Sequence, residues 1–132
     1  MSAASRVQAA RDEIAGQIRA YRDLVGAASK ASGMSLTRID AALAAFEPAF
    51  FNNLVVALDA RFRDRPATPA GAELRLLADA LLSHGGVLTA DPAIRHDAGV
   101  LRLDIGERVA LNADDFEALA AEFLAEIERT GA

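Results

Sequence analysis

The chain has 132 residues, of which 52% are hydrophobic and 25% charged, and its formal net charge at pH 7 is -5. This size and composition fit a single domain, residues 1–132, and the absence of cysteine excludes disulfides, thiolate metal sites and a cysteine nucleophile. The acidic balance argues against nucleic acid as a partner, because broad binding of phosphates depends on Lys and Arg.

The N-terminal sequence predicts no export or membrane insertion. MSAASRVQAARDEIAG contains arginines and lacks the apolar stretch of a secretory signal. We expect no apolar run to approach the roughly 18–20 residues of a membrane span. Alanine is abundant and Lys30 is the only lysine, a bias typical of high-GC bacterial genes. We therefore expect a soluble, cytoplasmic, bacterial protein without a membrane partner.

The first predicted element is a long amphipathic helix within residues 1–33. Its larger apolar side chains are Val7, Ile14, Ile18, Tyr21, Leu24 and Val25. Steps of three, four and seven residues place them on one helix face, which we expect to be buried. The core is expected to lie in residues 34–132.

A second helix is predicted to begin at Ser35, whose hydroxyl suits an N-cap position. Ile39, Leu43 and Phe46 follow at helical spacing. Pro48 comes next, and proline prefers the first turn of a helix and disfavours helical geometry in the residue before it. Pro48 either starts a new helix or lies within one, and we favour a kinked or near-continuous joint.

The segment EPAFFNNLVVALDARFRDRP is apolar on more than one side. At about 100° per residue, one face contains Phe51, Leu54, Val55, Leu58 and Phe62. The remaining surface contains Phe50, Val56 and Ala57. A helix that is apolar all round is buried on several sides. It is either the central helix of the fold or it meets a second chain. The leading interpretation is that Phe50, Val56 and Ala57 meet a second chain, which makes self-association the expected partnership.

Four polar residues of this segment are candidate ligand-binding residues. Asn52 and Asn53 lie about 100° apart, and a buried amide needs hydrogen bonds. They either satisfy neighbouring loops and helix ends, or orient a ligand or fix an interface register. Arg61 and Arg65 either favour the negative end of the helix dipole or, with Arg63, bind an anion.

The rest of the chain predicts two more helices and a hairpin. AELRLLADALLSH reads as a helix that ends at Gly85, followed by a short extended piece at 87–88. VLRLDIGERVAL alternates apolar and polar residues around Gly106, which predicts a β-hairpin over about 99–111. Asn112 is expected to cap the last helix. The apolar stripe of that helix is Phe116, Leu119, Ala120, Phe123 and Ile127.

The predicted fold is mainly α, within the α+β class. It is a helical bundle of about four to five helices with one small β-hairpin before the C-terminal helix. A lone hairpin is marginal in water, so its apolar face must lie on helices or on a partner.

The sequence contains no recognised catalytic or metal motif. GxSxG, P-loop, GxGxxG and HExxH patterns are missing. The one candidate metal group is Asp91, His96 and Asp97, and a solvated loop explains these residues better. We expect no metal, no cofactor and no catalytic residue.

Two passages resemble an uncharacterised bacterial protein family, a domain of unknown function. They are EPAFFNNLVVALDARF, residues 47–62, and VLRLDIGERVALNADDFEALAAEFLAEIE, residues 100–128, the second preceded by GGVLTADPAI. The resemblance implies a shared fold, but it implies no activity and no site residue.

Three functions are compatible with these patterns. The leading one is a small helical interaction module that acts as a homodimer. The second is a winged-helix regulator, although AELRLLADALLSH offers a DNA groove only Arg75 and His84. The third is a small-molecule-binding protein with a pocket between helices, in which an asparagine orients the ligand and Arg61 or Arg65 holds an anionic group.

Overall fold

A computed structural model describes residues 2–30, 35–94 and 99–131, and these ranges contain four α-helices. They are α1 (Ala3–Ser29), α2 (Ser35–Arg61), α3 (Pro69–Ser83) and α4 (Ala113–Thr130). Helix α1 packs mainly on α4, and α2 packs mainly on α3. The predicted helical bundle is confirmed, whereas the described ranges contain no fifth helix.

Side chains at the helix starts satisfy backbone N–H groups that have no partner within the helix. Thr68 Oγ1 accepts from the Gly71 N–H at 3.2 Å and caps α3. The predicted N-cap of α4 is confirmed, since Asn112 Oδ1 accepts from the Asp115 N–H at 2.8 Å. The Asp115 carboxylate in turn accepts from the Asn112 N–H, which completes a capping box.

Helix α2 continues through Pro48 without a break. Proline has no N–H, so it cannot donate to the carbonyl of Ala44 one turn earlier. Ala44 is exposed, so this gap in the helix hydrogen bonds lies at the surface of the bundle. The favoured interpretation, a near-continuous joint, therefore describes this helix.

The core lies between α2, α3 and α4 and is closed by α1. The predicted core face of α2 is buried at Phe51, Val55, Leu58 and Phe62, and Leu54 is half-buried. The whole predicted stripe of α4 is buried as well. Helix α1 departs from its predicted stripe at the end, because Leu24 and Val25 are 48% and 38% exposed.

The hairpin predicted over 99–111 is not confirmed. Residues 106–109 pair instead with 86–88, through hydrogen bonds from the Leu88 N–H to Glu107 O at 2.8 Å and from the Val109 N–H to Gly86 O at 2.7 Å. Arg102 has φ 56°, a left-handed value that interrupts an extended strand. The second half of the alternating pattern thus pairs with residues earlier in the chain, and not with the first half of the same pattern.

Candidate functional site

Asn52 lies in the second half of α2 and holds the chain that leads into α4. Its Nδ2 donates to the Val109 carbonyl at 3.1 Å, and its Oδ1 accepts from the Leu111 N–H at 3.3 Å. One amide thus satisfies two backbone groups of an irregular segment, which an apolar side chain could not do. For Asn52 the geometry favours the first interpretation, an amide that satisfies a neighbouring loop.

Arg65 belongs to a buried ion cluster. Its Nη2 donates to Asp59 Oδ1 at 2.8 Å and to the Gly71 carbonyl at 2.7 Å, and its guanidinium lies 4.9 Å from the centre of the Phe123 ring. Arg75 donates from Nε to the same Asp59 oxygen at 2.9 Å. Asp59 and its two arginines therefore join the end of α2 to the start of α3.

Arg61 points to a different neighbour. Its guanidinium forms an ion pair with Glu13 on α1, and its carbonyl accepts from Arg6 Nη2 at 3.1 Å. Its side chain is 37% exposed. Arg61 and Arg65 are thus four residues apart in sequence but serve separate contacts, so they do not form one anion-binding pair.

Two buried carboxylates, Glu73 and Glu126, were not among the predicted site residues. Glu126 on α4 accepts from the N–H groups of Ala70 and Gly71 at 3.0 and 3.2 Å, at the first turn of α3. A carboxylate there also interacts favourably with the helix dipole. Glu126 is only 6% exposed, and this contact fixes the end of α4 against the start of α3.

Glu73 anchors an irregular segment at the start of the region predicted as a hairpin. Its two carboxylate oxygens accept from the N–H groups of Val100 and Leu101, at 2.7 and 3.0 Å. Gly99 makes this approach possible, because a Cβ there would overlap the Glu73 carboxylate. Gly99 also has φ 60°, which favours glycine.

The sequence indicates a buried role for Glu126 more clearly than for Glu73. Glu126 stands three residues after Phe123 and directly before Ile127, within the apolar stripe of α4. A carboxylate in such a stripe must have a buried partner. The partners of Glu73 are backbone groups of a distant irregular segment, and no residue type marks those.

The side of α2 that faces away from the bundle is apolar and exposed. We call it the outer face of α2, defined as Ala42, Ala45, Phe46, Ala49, Asn53, Val56, Ala57 and Ala60. All are exposed except Val56, which is half-buried. From Ala42 to Ala60 the face extends about 27 Å at 1.5 Å per residue. Asn53 is its single polar member. Asn53 is therefore exposed on this face, whereas Asn52 bonds the backbone of Val109 and Leu111.

Aromatic rings border the outer face. Phe46 stacks on Phe50 with ring centres 5.2 Å apart, and Tyr21 of α1 stacks on Phe46 at 6.4 Å. Phe50 also meets the core ring of Phe51 edge-on at 5.0 Å. Of the three predicted interface residues, Phe50 is therefore partly covered within the chain, Val56 is half-buried and Ala57 is exposed.

Helix α2 is more apolar than the sequence expectation allowed. Within Thr37–Arg61, a window of 18 residues has a mean hydropathy of 1.5, so by length and composition the helix is apolar enough to cross a membrane. Core helices of soluble proteins can meet the same criterion, but only 17% of this window is buried in the chain. The apolar surface of α2 thus exceeds what the bundle covers.

Two surface cavities lie on either side of the start of α3. One, of about 440 Å³, is lined by three carboxylates, Glu73, Glu122 and Glu126, with Arg129 beside them. The other, of about 600 Å³, is lined by Arg63, Arg65 and Arg75. Negative and positive side chains are therefore separated between two adjacent depressions.

The described residues contain no group of three or more His, Asp or Glu side chains placed to hold a metal ion. Asp91 accepts from the Ala93 N–H at 2.9 Å, within a local turn. His96 and Asp97 lie outside the described residues, so the geometry of the candidate metal group is not defined.

Comparison with protein-family models, with curated proteins and with solved structures finds no match to this chain. The resemblance of residues 47–62 and 100–128 to an uncharacterised bacterial family therefore stays a prediction.

Proposed function

We propose that this protein is a small helical interaction module that forms a homodimer through the outer face of α2. The observation that carries the proposal is the exposure of that face. Monomeric soluble proteins rarely expose a large contiguous apolar surface, and such a surface marks an interaction site. Leu24 and Val25, which are also exposed, follow Tyr21 by three and four residues on α1, and Tyr21 stacks on Phe46.

A second copy of this chain fits the outer face because of where its polar residue lies. Asn53 is followed and preceded by small apolar residues at matching distances. If two α2 helices cross antiparallel with Asn53 on the two-fold axis, Ala49 faces the partner's Ala57, and Phe46 faces the partner's Ala60. The Phe46 ring then packs on a small side chain, and each pair recurs on the other side of the axis, as in an isologous contact.

The Asn53 amide also suits a two-fold axis. It contains both a donor and an acceptor, so two copies hydrogen-bond to each other. Burial of an amide without a partner is unfavourable, so any other register is destabilised. A single buried asparagine is known to fix helix register in this way.

Sedimentation equilibrium of the purified protein tests the proposal. We expect the wild type to dimerise and Ala49→Glu to be monomeric, because the substitution buries a carboxylate at the contact. Ala15→Glu, which adds the same charge on an exposed position of α1, is the matched control and should stay dimeric. A monomeric wild type, or an Ala49→Glu variant as dimeric as the control, overturns the proposal.

Two further measurements test the register of the two helices and the alternative of membrane binding. Asn53→Asp places two carboxylates at the axis and should dissociate the dimer at neutral pH, whereas a dimer that tolerates it does not have Asn53 on the axis. Flotation with lipid vesicles tests the hydropathy of α2. A monomer that floats would assign the outer face to a membrane instead of a second chain.

The winged-helix alternative has less support from the geometry. Helix α3, the candidate recognition helix, is buried at eight of its fifteen positions, Ala70, Gly71, Glu73, Leu74, Leu76, Leu77, Ala78 and Ala80. Arg75, one of its two candidate DNA contacts, donates to Asp59. The small-molecule alternative has a specific observation in its favour. It is the cavity of about 600 Å³ lined by Arg63, Arg65 and Arg75, which we call the arginine-lined cleft.

A further inference from the structure

The arginine-lined cleft lies between the turn that joins α2 to α3 and the chain at Ala93 and Ile94. Its volume of about 600 Å³ is in the range of small-molecule sites. Its lining includes the three arginines Arg63, Arg65 and Arg75. The lining also includes the apolar residues Pro66, Ala72 and Ile94.

The cleft has a surplus of positive charge on a chain that is acidic overall. Of the described residues that line it, none has a carboxylate. Asp59 lies behind the arginines, 8% exposed, and accepts from both Arg65 and Arg75. Arg65 and Arg75 thus share one carboxylate, and among the described residues Arg63 forms no ion pair, which leaves about two of the three positive charges uncompensated.

The three arginines differ in how many of their N–H donors remain available to a ligand. Arg65 is 5% exposed and donates to Asp59 and to backbone carbonyls, so it supports the floor of the cleft. Arg75 donates from Nε to Asp59 and from Nη2 to the Arg63 carbonyl, yet its side chain is still 34% exposed. Arg63 is exposed, and its carbonyl is fixed by Arg75.

We propose that this cleft binds a small phosphate monoester whose organic part is apolar. Arg63 and the exposed edge of Arg75 bind the phosphate, because guanidinium groups pair with its oxygens in a fork geometry. A phosphate monoester has a charge of about -1.5 to -2 at pH 7, which matches the surplus. Pro66, Ala72 and Ile94 contact the apolar part. The proposal does not depend on self-association.

Isothermal titration calorimetry at low ionic strength tests the site with four probes. Phenyl phosphate should bind saturably with one molecule per chain, and more tightly than inorganic phosphate, which lacks the apolar part. Benzyl alcohol should not bind, because it lacks the charge. Benzoate should bind more weakly than phenyl phosphate, since it has a single charge. Benzoate binding more tightly than phenyl phosphate would overturn the assignment to a phosphate.

Variants locate the site on the chain. Arg63→Gln should weaken phenyl phosphate binding about tenfold, the effect of one charge-assisted hydrogen bond. Arg19→Gln, on an exposed position of α1, is the matched control and should bind like the wild type. Circular dichroism should show both variants folded, since both side chains are exposed. No saturable heat with the wild type, or equal binding by Arg63→Gln, overturns the proposal.

Discussion

Arg65 and Asp59 form an ion pair at 2.8 Å in which the two side chains are only 5% and 8% exposed. Buried charges are stable only when they are paired and hydrogen-bonded. Here Asp59 accepts from two arginines, and Arg65 also donates to three backbone carbonyls. The pair thereby fixes the turn between α2 and α3.

Removal of Asp59 should destabilise the fold strongly. Asp59→Ala leaves Arg65 buried without its carboxylate, so we expect the free energy of unfolding to fall by about 3–5 kcal/mol. Urea denaturation monitored by circular dichroism measures the change. Glu13→Ala removes the partner of Arg61 from an exposed pair and should lower stability by no more than about 1 kcal/mol. Equal losses in the two variants would refute the assigned difference in burial.

Gly99 should be less tolerant of a side chain than Gly85. Both have left-handed φ values, 60° and 63°, so alanine strains both by about 1–2 kcal/mol. Only at Gly99 would the new Cβ also overlap the Glu73 carboxylate, whereas it meets open space at Gly85. Gly99→Ala should therefore lose at least about 1 kcal/mol more than Gly85→Ala in urea denaturation. Indistinguishable losses would place Glu73 away from Gly99.

Replacement by alanine should lower the free energy of unfolding much more at Asn52 than at Asn53. Asn52→Ala leaves the Val109 carbonyl and the Leu111 N–H without their partner, and we expect a loss of about 1–3 kcal/mol. Asn53→Ala changes an exposed side chain and should stay within about 0.5 kcal/mol. The comparison is made at a concentration where both variants are monomeric. A larger loss at Asn53 would contradict the assigned contacts.

Tyr21 should ionise only at unusually high pH. Burial raises its pKa above the ordinary value of 10.0, and the hydrogen bond to Glu47 and that carboxylate's charge raise it further. Because the folded-state pKa is the higher one, this contribution to stability is fully present below pH 10 and is lost as pH rises through the folded-state pKa. Tyr21 is the only tyrosine, so tyrosinate absorbance reports on it alone.

The control for this titration is Tyr21→Phe. That variant should lose less stability than the wild type between neutral pH and pH values above 10, since it has no phenol to ionise. Circular dichroism at each pH establishes that the protein is folded during the absorbance titration. A folded wild type whose tyrosinate signal appears with the ordinary pKa of 10.0 would remove the predicted effect.

Helix positions and most of the core were predictable from local pattern. Phe51, Val55 and Leu58 repeat with the helical period and are buried, and Asn112 caps α4 as its side chain predicts. These features depend on residues within a turn or two of one another. The excess of apolar surface on α2 was also evident from sequence, because it needs only the wheel of one helix.

What only the tertiary structure decided is the identity of long-range partners. Two examples join residues far apart in sequence, namely the pairing of 106–109 with 86–88 and the hydrogen bond between Glu73 and Val100. A third is the separate neighbours of Arg61 and Arg65, two arginines whose positions in the sequence look equivalent. Backbone N–H and carbonyl groups are the same at every position, so sequence does not mark which of them a buried side chain will meet. The sequence alone therefore determines which residues must be covered, and the packing of the helices decides what covers them.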